Sequence, residues 1–349
     1  MRGLYIHIPF CRRKCLYCDF YSLALEEGFA ERYTSAVIRN IKAYGGGFDT
    51  VYFGGGTPIL LAPYLGEMLR AADVAEGAEI TAEANPCEMT DESLEMLLKA
   101  GVNRISVGVQ SFCDNELQAL GRRHDSNTAV QAILRAKAAG FDNISADLML
   151  GVPHQNADSL ETTLRQMTEL PVTHISAYML KVEENTPFGR NTPLLPDEDA
   201  TADMYLQTVQ TLEKYGFHQY EISNFAKDGC ECLHNLKYWH AEEYLGIGPA
   251  AHSFLDGRRF GVPRDLNAFL ASAQQEEQLT EEAPDPTEER IMLGLRLAEG
   301  IPEELWKPLE AALKRIPKNY YSITDGRLRL TAEGFLLSNE IIALLISEL

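Results

Sequence analysis

Along the first half of the chain, apolar and polar positions repeat one theme: a short apolar strand, a turn, then an amphipathic helix. Residues 4–8 read as a strand, followed by a loop with three cysteines and a helix over about 28–44. Residues 50–53 form a second strand, which runs into Gly54-Gly55-Gly56-Thr57-Pro58 ahead of a helix near 63–72. A third strand, 79–84, carries Glu83 near its end and precedes a helix over 91–100. A fourth, 103–109, leads to Gln110 and to helices reaching about residue 139. A fifth, 143–149, contains Asp147 and precedes a helix near 159–170; residues 174–180 form a sixth.

Six βα-type units at this spacing imply parallel strands with right-handed crossovers. Six is short of the eight in a closed barrel. The predicted architecture is therefore α/β, an open partial (β/α)6 barrel with its core over about 1–182. A flat doubly wound sheet is the alternative. The alternation then stops. Residues 185–197 read as a loop, 199–215 as a helix, and the stretch to 260 as irregular strand-like segments. Residues 276–287, acidic and carrying Pro284 and Pro286, read as a linker between a domain at 1–275 and a smaller one at 284–349. The smaller one is predicted to hold helices near 288–297, 302–305 and 308–316, and a hairpin over 320–330 turning at Asp325-Gly326. A last apolar helix is predicted over 334–349. That set resembles a winged helix.

Charge and composition narrow the function. The net charge is −20 over 349 residues, so a general nucleic-acid or membrane surface is not expected, although a local basic pocket is compatible with it. No apolar run reaches the roughly 18 residues of a membrane span, and the first residues, MRGLYIHIPFC, lack the pattern of a signal peptide. A cytoplasmic protein is expected. Seven cysteines in such a chain suggest metal ligands or catalytic thiols rather than disulfides.

Cys11, Cys15 and Cys18 form C-x-x-x-C-x-x-C directly after the first strand. Three thiolates within eight residues can converge on one compact object. A 4Fe–4S cubane held by three cysteines instead of four keeps one iron open. That iron can chelate the amino and carboxylate groups of S-adenosylmethionine (SAM), whose reductive cleavage yields a 5′-deoxyadenosyl radical. The alternatives are a zinc site completed by His7 or Asp19, or plain structural thiols, but zinc favours paired C-x-x-C knuckles and no second knuckle is suitably spaced. Tyr17, next to Cys18, could shield the cluster or contact adenine. On composition alone, Gly54, Gly55, Gly56 and Thr57 fit either a close backbone approach to a ligand or a tight turn. Arg122 fits a carboxylate partner or a surface ion pair. His234, beside Tyr238 and Trp239, fits a haem ligand with packing rings, or a histidine satisfied within a loop.

The cysteine loop resembles the radical SAM superfamily. YIHIPFCRRKCLYCDF, YFGGGTP, TAEANP, SVGVQSF, LGRRH, DLMLGVP, HNLKYW and LGIGPAAHSF, in order from Tyr5 to about Phe254, resemble its HemN/HemW family. That family joins oxygen-independent coproporphyrinogen III dehydrogenases to haem-chaperone relatives. The resemblance implies the partial barrel, a 4Fe–4S cluster on Cys11, Cys15 and Cys18, and SAM. It implies that Gly54–Thr57 bind the SAM amino group and that Glu83 holds the ribose or amino group. Tyr5 matches a contact of the first SAM, and Gln110, Arg122 and Asp147 match contacts of a second. His252 stands where the dehydrogenase has an aliphatic SAM contact. His234, Asn235, Tyr238 and Trp239 match an HNxxYW pattern that marks the chaperones and implies haem binding. Cys230 and Cys232 fall outside the pattern and read as surface thiols; Cys87 and Cys113 read as isolated thiols near barrel loops.

Two departures point to the chaperone branch. Phe20 stands where the dehydrogenases have a fourth cysteine, and only ten residues precede Cys11 where they have a long extension. The expected function is a haem chaperone that carries a SAM-ligated cluster and delivers haem to acceptor apoproteins such as respiratory enzymes. The alternative is oxidative decarboxylation of two coproporphyrinogen III propionates, and a third reading, action on RNA, is disfavoured by the charge. An exposed open-iron cluster is compatible with a homodimer.

Overall fold

A computed structural model describes residues 1–349. Six strands pair in chain order, each parallel to the next: β1 (Arg2–Ile8), β2 (Phe48–Gly55), β3 (Val74–Ala84), β4 (Arg104–Gln110), β5 (Asn143–Leu150) and β6 (His174–Met179). The crossovers run through α1 (Phe29–Tyr44), α2 (Ala62–Ala71), α3 (Asp91–Ala100), α4 (Ser126–Ala139) and α5 (Ala157–Glu169). These are the six predicted units, and helix α3 has the predicted bounds. A further parallel strand, β7 (Tyr244–Ile247), pairs with the free side of β1. No βα unit precedes it, so its region reads only as irregular in the sequence.

The sheet continues antiparallel at both ends, through 252–255, 258–261 and 278–282 beyond β7, and through 224–226 and 218–219 beyond β6. Its two edges do not pair, so the barrel is open. The outermost strand, Gln278–Glu282, lies inside the segment read as a linker. Its acidic residues sit opposite arginines, Arg258 facing Glu282 and Arg259 facing Glu281, so cross-strand charge pairing holds an otherwise loop-like sequence in register. Two smaller corrections concern the loop 185–197, which holds a short helix at Pro187–Arg190, and the last helix, which breaks at Leu337 into Ala332–Leu336 and Ser338–Ile346.

The two faces of the barrel sheet differ in chemistry. Leu4, Ile6, Val51, Phe53, Ile105, Val107, Ile144 and Ala146 are fully buried in one apolar core with the surrounding helices. The alternate residues line the inside, and there the sheet is polar: Thr50, Glu79, Thr81, Arg104, Ser106, Ser145 and His174 are all buried. Burying such a lining costs energy unless it is hydrogen-bonded, and most of it is, Thr81 Oγ1 and Arg104 Nε being the exceptions.

Much of that bonding comes from α7 and from Tyr220. Helix α6 (Glu198–Lys214) covers the sheet near β5 and β6, and α7 (Leu233–Trp239) closes the end where the strands begin. The carboxylate of Glu79 accepts the backbone N–H groups of Leu233 and His234, both at 3.0 Å. His234 inserts its ring, with Nδ1 2.8 Å from Thr50 Oγ1 and Nε2 2.8 Å from Tyr238 Oη. His174 bridges Ser145 and Tyr220, and the Tyr220 hydroxyl accepts the N–H of Cys232. Lys237 pins the helix from outside through Asp49 at 3.0 Å and Glu242 at 2.8 Å. Arg104 lies at the centre, 2% exposed, its charge offset by neighbours that include Glu79.

Past residue 284, strands Ile301–Pro302, Tyr321–Thr324 and Arg327–Leu330 form a separate small sheet packed with helices. The predicted hairpin is present, with Asp325 and Gly326 both at positive φ, 55° and 75°. This region joins the barrel through backbone bonds from Ile222 to Arg296 and from Ala298 to Tyr220. The apolar core runs on through Ile291, Leu328 and Leu345. No helix is long and apolar enough to cross a membrane.

Replacing Glu79 with alanine frees two N–H groups and leaves Arg104 less compensated in the interior. The loss should be about 3–5 kcal/mol of unfolding free energy, measurable by denaturant titration.

Candidate functional site

The cysteine loop leaves the C-terminal end of β1, where α/β sites are built. A short ladder, Phe10–Cys11 beside Leu23–Ala24, closes its base. All three thiols are half-buried. Burial raises Cys11 above the ordinary thiol value and Cys18 to about 11. Each sulfur has a donor. Thr57 Oγ1 lies 3.5 Å from Cys11 Sγ, Arg122 Nη1 lies 3.4 Å from Cys15 Sγ, and the Phe20 backbone N–H supports Cys18. Donors aimed at sulfur favour thiolate ligands, which suits an iron–sulfur cluster.

The zinc alternative loses its completing ligands. His7 is enclosed between Tyr5 Oη and the Tyr21 carbonyl, and Asp19 pairs with Arg264. No group of three His, Cys, Asp or Glu side chains is arranged to hold a single ion. A four-iron cubane is larger than an ion and its thiolates stand further apart.

A continuous hydrogen-bond chain joins two of the cysteines. Thr57 donates to Cys11 and accepts from Asn85 Nδ2 at 2.8 Å. Asn85 Oδ1 accepts from Arg122 Nη2 at 2.6 Å, and Arg122 Nη1 reaches Cys15 and the Tyr17 hydroxyl. Arg122 also donates to the Gly108 carbonyl, so it is a brace between loop and barrel rather than a surface ion pair. Asn85 was not singled out in the sequence; its signal was its place at the end of β3, inside TAEANP. Gln110 sits next to this brace, buried and with φ of 71°.

Tyr5, Glu83 and Asp147 come together below the loop. Glu83 accepts from Tyr52 Oη at 3.1 Å and from the Gly55 N–H at 3.0 Å. Burial and the nearby Asp147 raise Glu83 to about 7, and burial raises Asp147 to about 6. The glycines are needed by the protein itself. A Cβ at Gly56 would lie 2.6 Å from the Phe10 carbonyl oxygen, and one at Gly55 would lie 2.6 Å from the His7 ring, at a φ of 107°. The turn therefore serves packing against β1 and presents Thr57 to Cys11.

Around this site Arg12, Arg13, Arg122, Arg123 and His124 line one pocket with Cys15 and Cys87, a local basic patch on an acidic protein. His252 is exposed at the barrel mouth, near His7. Cys113 is half-buried beside Thr163.

The haem candidates lie elsewhere. His234 is 1% exposed, at the strand-start end of the barrel, with both ring nitrogens bonded. It is enclosed by Thr50 and Tyr238 and has no nitrogen available to iron. The Tyr238 hydroxyl bonds His234 while its ring borders a groove with Tyr244 and Arg259, Asn235 is half-buried in the same helix, and Trp239 borders a second groove. Cys232, read as a surface thiol, is fully buried against Glu79, while Cys230 is half-buried.

The radical SAM superfamily model matches residues 5–167. Heme chaperone HemW of Escherichia coli (strain K12) is 38% identical, covering 99% of this chain and 98% of that protein. Heme chaperone HemW of Bacillus subtilis (strain 168) is 34% identical over the full length of both. Among solved structures, coproporphyrinogen III oxidase (HemN) from Escherichia coli, a radical SAM enzyme, superimposes with a TM-score of 0.84 over 99% of this chain and 90% of that one, at 21% identity. That likeness establishes the α/β partial-barrel fold.

The raised carboxyl of Glu83 gives a pH signature in cluster-free protein. The folded chain keeps this proton above the ordinary carboxylate value, so stability from this group is present at low pH and is lost as pH rises from about 4.5 to about 7. The Tm difference between Glu83→Gln and wild type should therefore move in favour of the variant from pH 5 to pH 8 and stay level above. A difference that does not change with pH would mean that Glu83 is ionised throughout.

Proposed function

The chain belongs to the HemW family, within the radical SAM superfamily, and on that premise we propose that it is a cytoplasmic haem chaperone. It binds haem, carries a SAM-ligated 4Fe–4S cluster, and passes haem to acceptor apoproteins. The observation that carries this reading is full-length similarity to proteins named as haem chaperones.

Cys11, Cys15 and Cys18 are the ligands of the cluster in this proposal. When bound, a cluster on three cysteines offers its fourth iron to the amino and carboxylate groups of SAM. Thr57, Arg122 and the Phe20 N–H each point a donor at one of the sulfurs, and the chain through Asn85 links Cys11 to Cys15. Glu83 and Asp147, both poised near neutrality, can donate or accept a hydrogen bond to a cationic or hydroxylic part of the ligand. Tyr5 and Tyr52 stack at 6.2 Å between centroids and wall that space. Gln110 and Arg122 border it on the β4 side.

The test is haem transfer. Full-length chain, reconstituted anaerobically, is loaded with ferric haem and mixed with a haem-free acceptor. The Soret band should move to the acceptor's position, and a band that stays with the donor removes the delivery step. A parallel incubation with coproporphyrinogen III, SAM and a reductant should yield no protoporphyrinogen; its formation would replace the chaperone reading with a decarboxylase.

A further inference from the structure

Two buried polar groups inside the barrel have no partner, and they are neighbours. Thr81 lies opposite Arg104 in the β3–β4 ladder, both on the inward face. Thr81 Oγ1 and Arg104 Nε are enclosed without a hydrogen bond, in residues 0% and 2% exposed. An unsatisfied hydroxyl and an unpaired guanidinium are each costly to bury.

The rest of the lining does not supply the missing partner, because it is paired with itself. Tyr52, beside Thr81 in the β2–β3 ladder, donates its hydroxyl to Glu83. Ser106 donates to Asp147, Ser145 bonds His174, and His174 bonds Tyr220. Glu79 acts on Arg104 through space, yet its two oxygens accept the N–H groups of Leu233 and His234, and no carboxylate lies within ion-pairing distance of the guanidinium. Burial keeps the other acidic groups near Arg104 protonated: the Cys232 thiol is pushed up to about 12, and the Tyr52 and Tyr220 phenols rise above their ordinary value.

We propose that a small monovalent anion, of which chloride is the abundant example, binds inside the barrel between Arg104 and Thr81. The pair offers donors, guanidinium N–H groups and a hydroxyl. An anion accepts from them and supplies the counter-charge. A water molecule would leave the charge uncompensated and would need acceptors for its own hydrogens, which a lining paired with itself does not offer. Side chains this enclosed face a compartment closed to bulky ligands, and one guanidinium matches one negative charge.

The site bears on the ligand space above it. Arg104 favours the ionised forms of Glu83 and Asp147, which lie further along the strands toward the cysteine loop. A bound anion offsets that pull, so both carboxyls hold their protons more firmly. The assignment depends on neither the cluster nor haem.

The experiment is a thermal-unfolding titration of the full-length chain, followed by circular dichroism from a halide-free preparation, with sodium chloride against sodium gluconate at equal ionic strength. Gluconate is too large for an enclosed site. Wild type should gain at least about 2 °C in Tm from chloride over gluconate, and the gain should saturate. Arg104→Met should show no such gain. Thr81→Val, which loses only the hydroxyl, should need at least about threefold more chloride for half of the gain. Equal wild-type Tm values in the two salts would overturn the site. A saturating gain that Arg104→Met retains would mean an adventitious ion only, and overturns it too. If Arg104→Met does not fold, Thr81→Val decides, and an unchanged chloride requirement there removes the site.

Discussion

A barrel lined with polar side chains must be closed by polar groups, and this constraint organises the molecule. The strands alternate, so their apolar residues face the helices and their polar residues face inward. Arg104 and Glu79 make the interior ionic as well as polar, and Arg104 is 2% exposed. Neither end can then be left to apolar packing. The strand-start end is filled by α7, whose N–H groups meet Glu79 and whose His234 meets Thr50. The strand-finish end keeps Tyr5, Glu83 and Asp147 together and carries the cysteine loop above them. The same inward polarity that costs folding energy where it is unpaired supplies ligand groups where it is open.

The βα rhythm was legible because helix and strand periods are local, and six strands and five crossovers follow from it. What was not legible were strands fixed by partners distant in sequence. Strand β7 has no crossover of its own and is defined by pairing with β1, about 240 residues away. Strand 278–282 has the composition of a linker and becomes a strand because Arg258 and Arg259 lie across from it. The inward polarity itself was visible, in Glu79-Thr81-Glu83, Arg104-Ser106 and Ser145-Asp147 at every second position. It was masked by the apolar residues between them, which dominate a reading by hydrophobicity.

The candidate site was legible in its three cysteines and less so in the residues that support them. The cysteine spacing names the three thiols directly. Asn85 and Thr57, which fix how far apart two of them stand, are ordinary polar residues until the fold brings them into one hydrogen-bond chain. The glycines after β2 show the reverse case. Their pattern suggests a ligand loop, yet their first constraint is steric, because the backbone at Ile8 and Phe10 and the ring of His7 leave no room for a Cβ. Gly55 and Gly56 are required by the fold whatever lies beside them, so the presence of glycine alone does not indicate a ligand.

The HNLKYW segment makes the same point about motifs that mark a family. A helix of seven residues turns about twice, so its side chains face opposite ways. His234 faces inward and bonds to the Tyr238 hydroxyl four residues on, whereas Trp239 and the following His240 face a groove. The inward pair holds the barrel end closed and thereby holds the helix in place. The outward pair is positioned by that closure. Loss of His234 therefore reaches the outer face through the helix that carries both. Only a change on the outward face, with His234 and its partners intact, separates a role of that face from support of the fold.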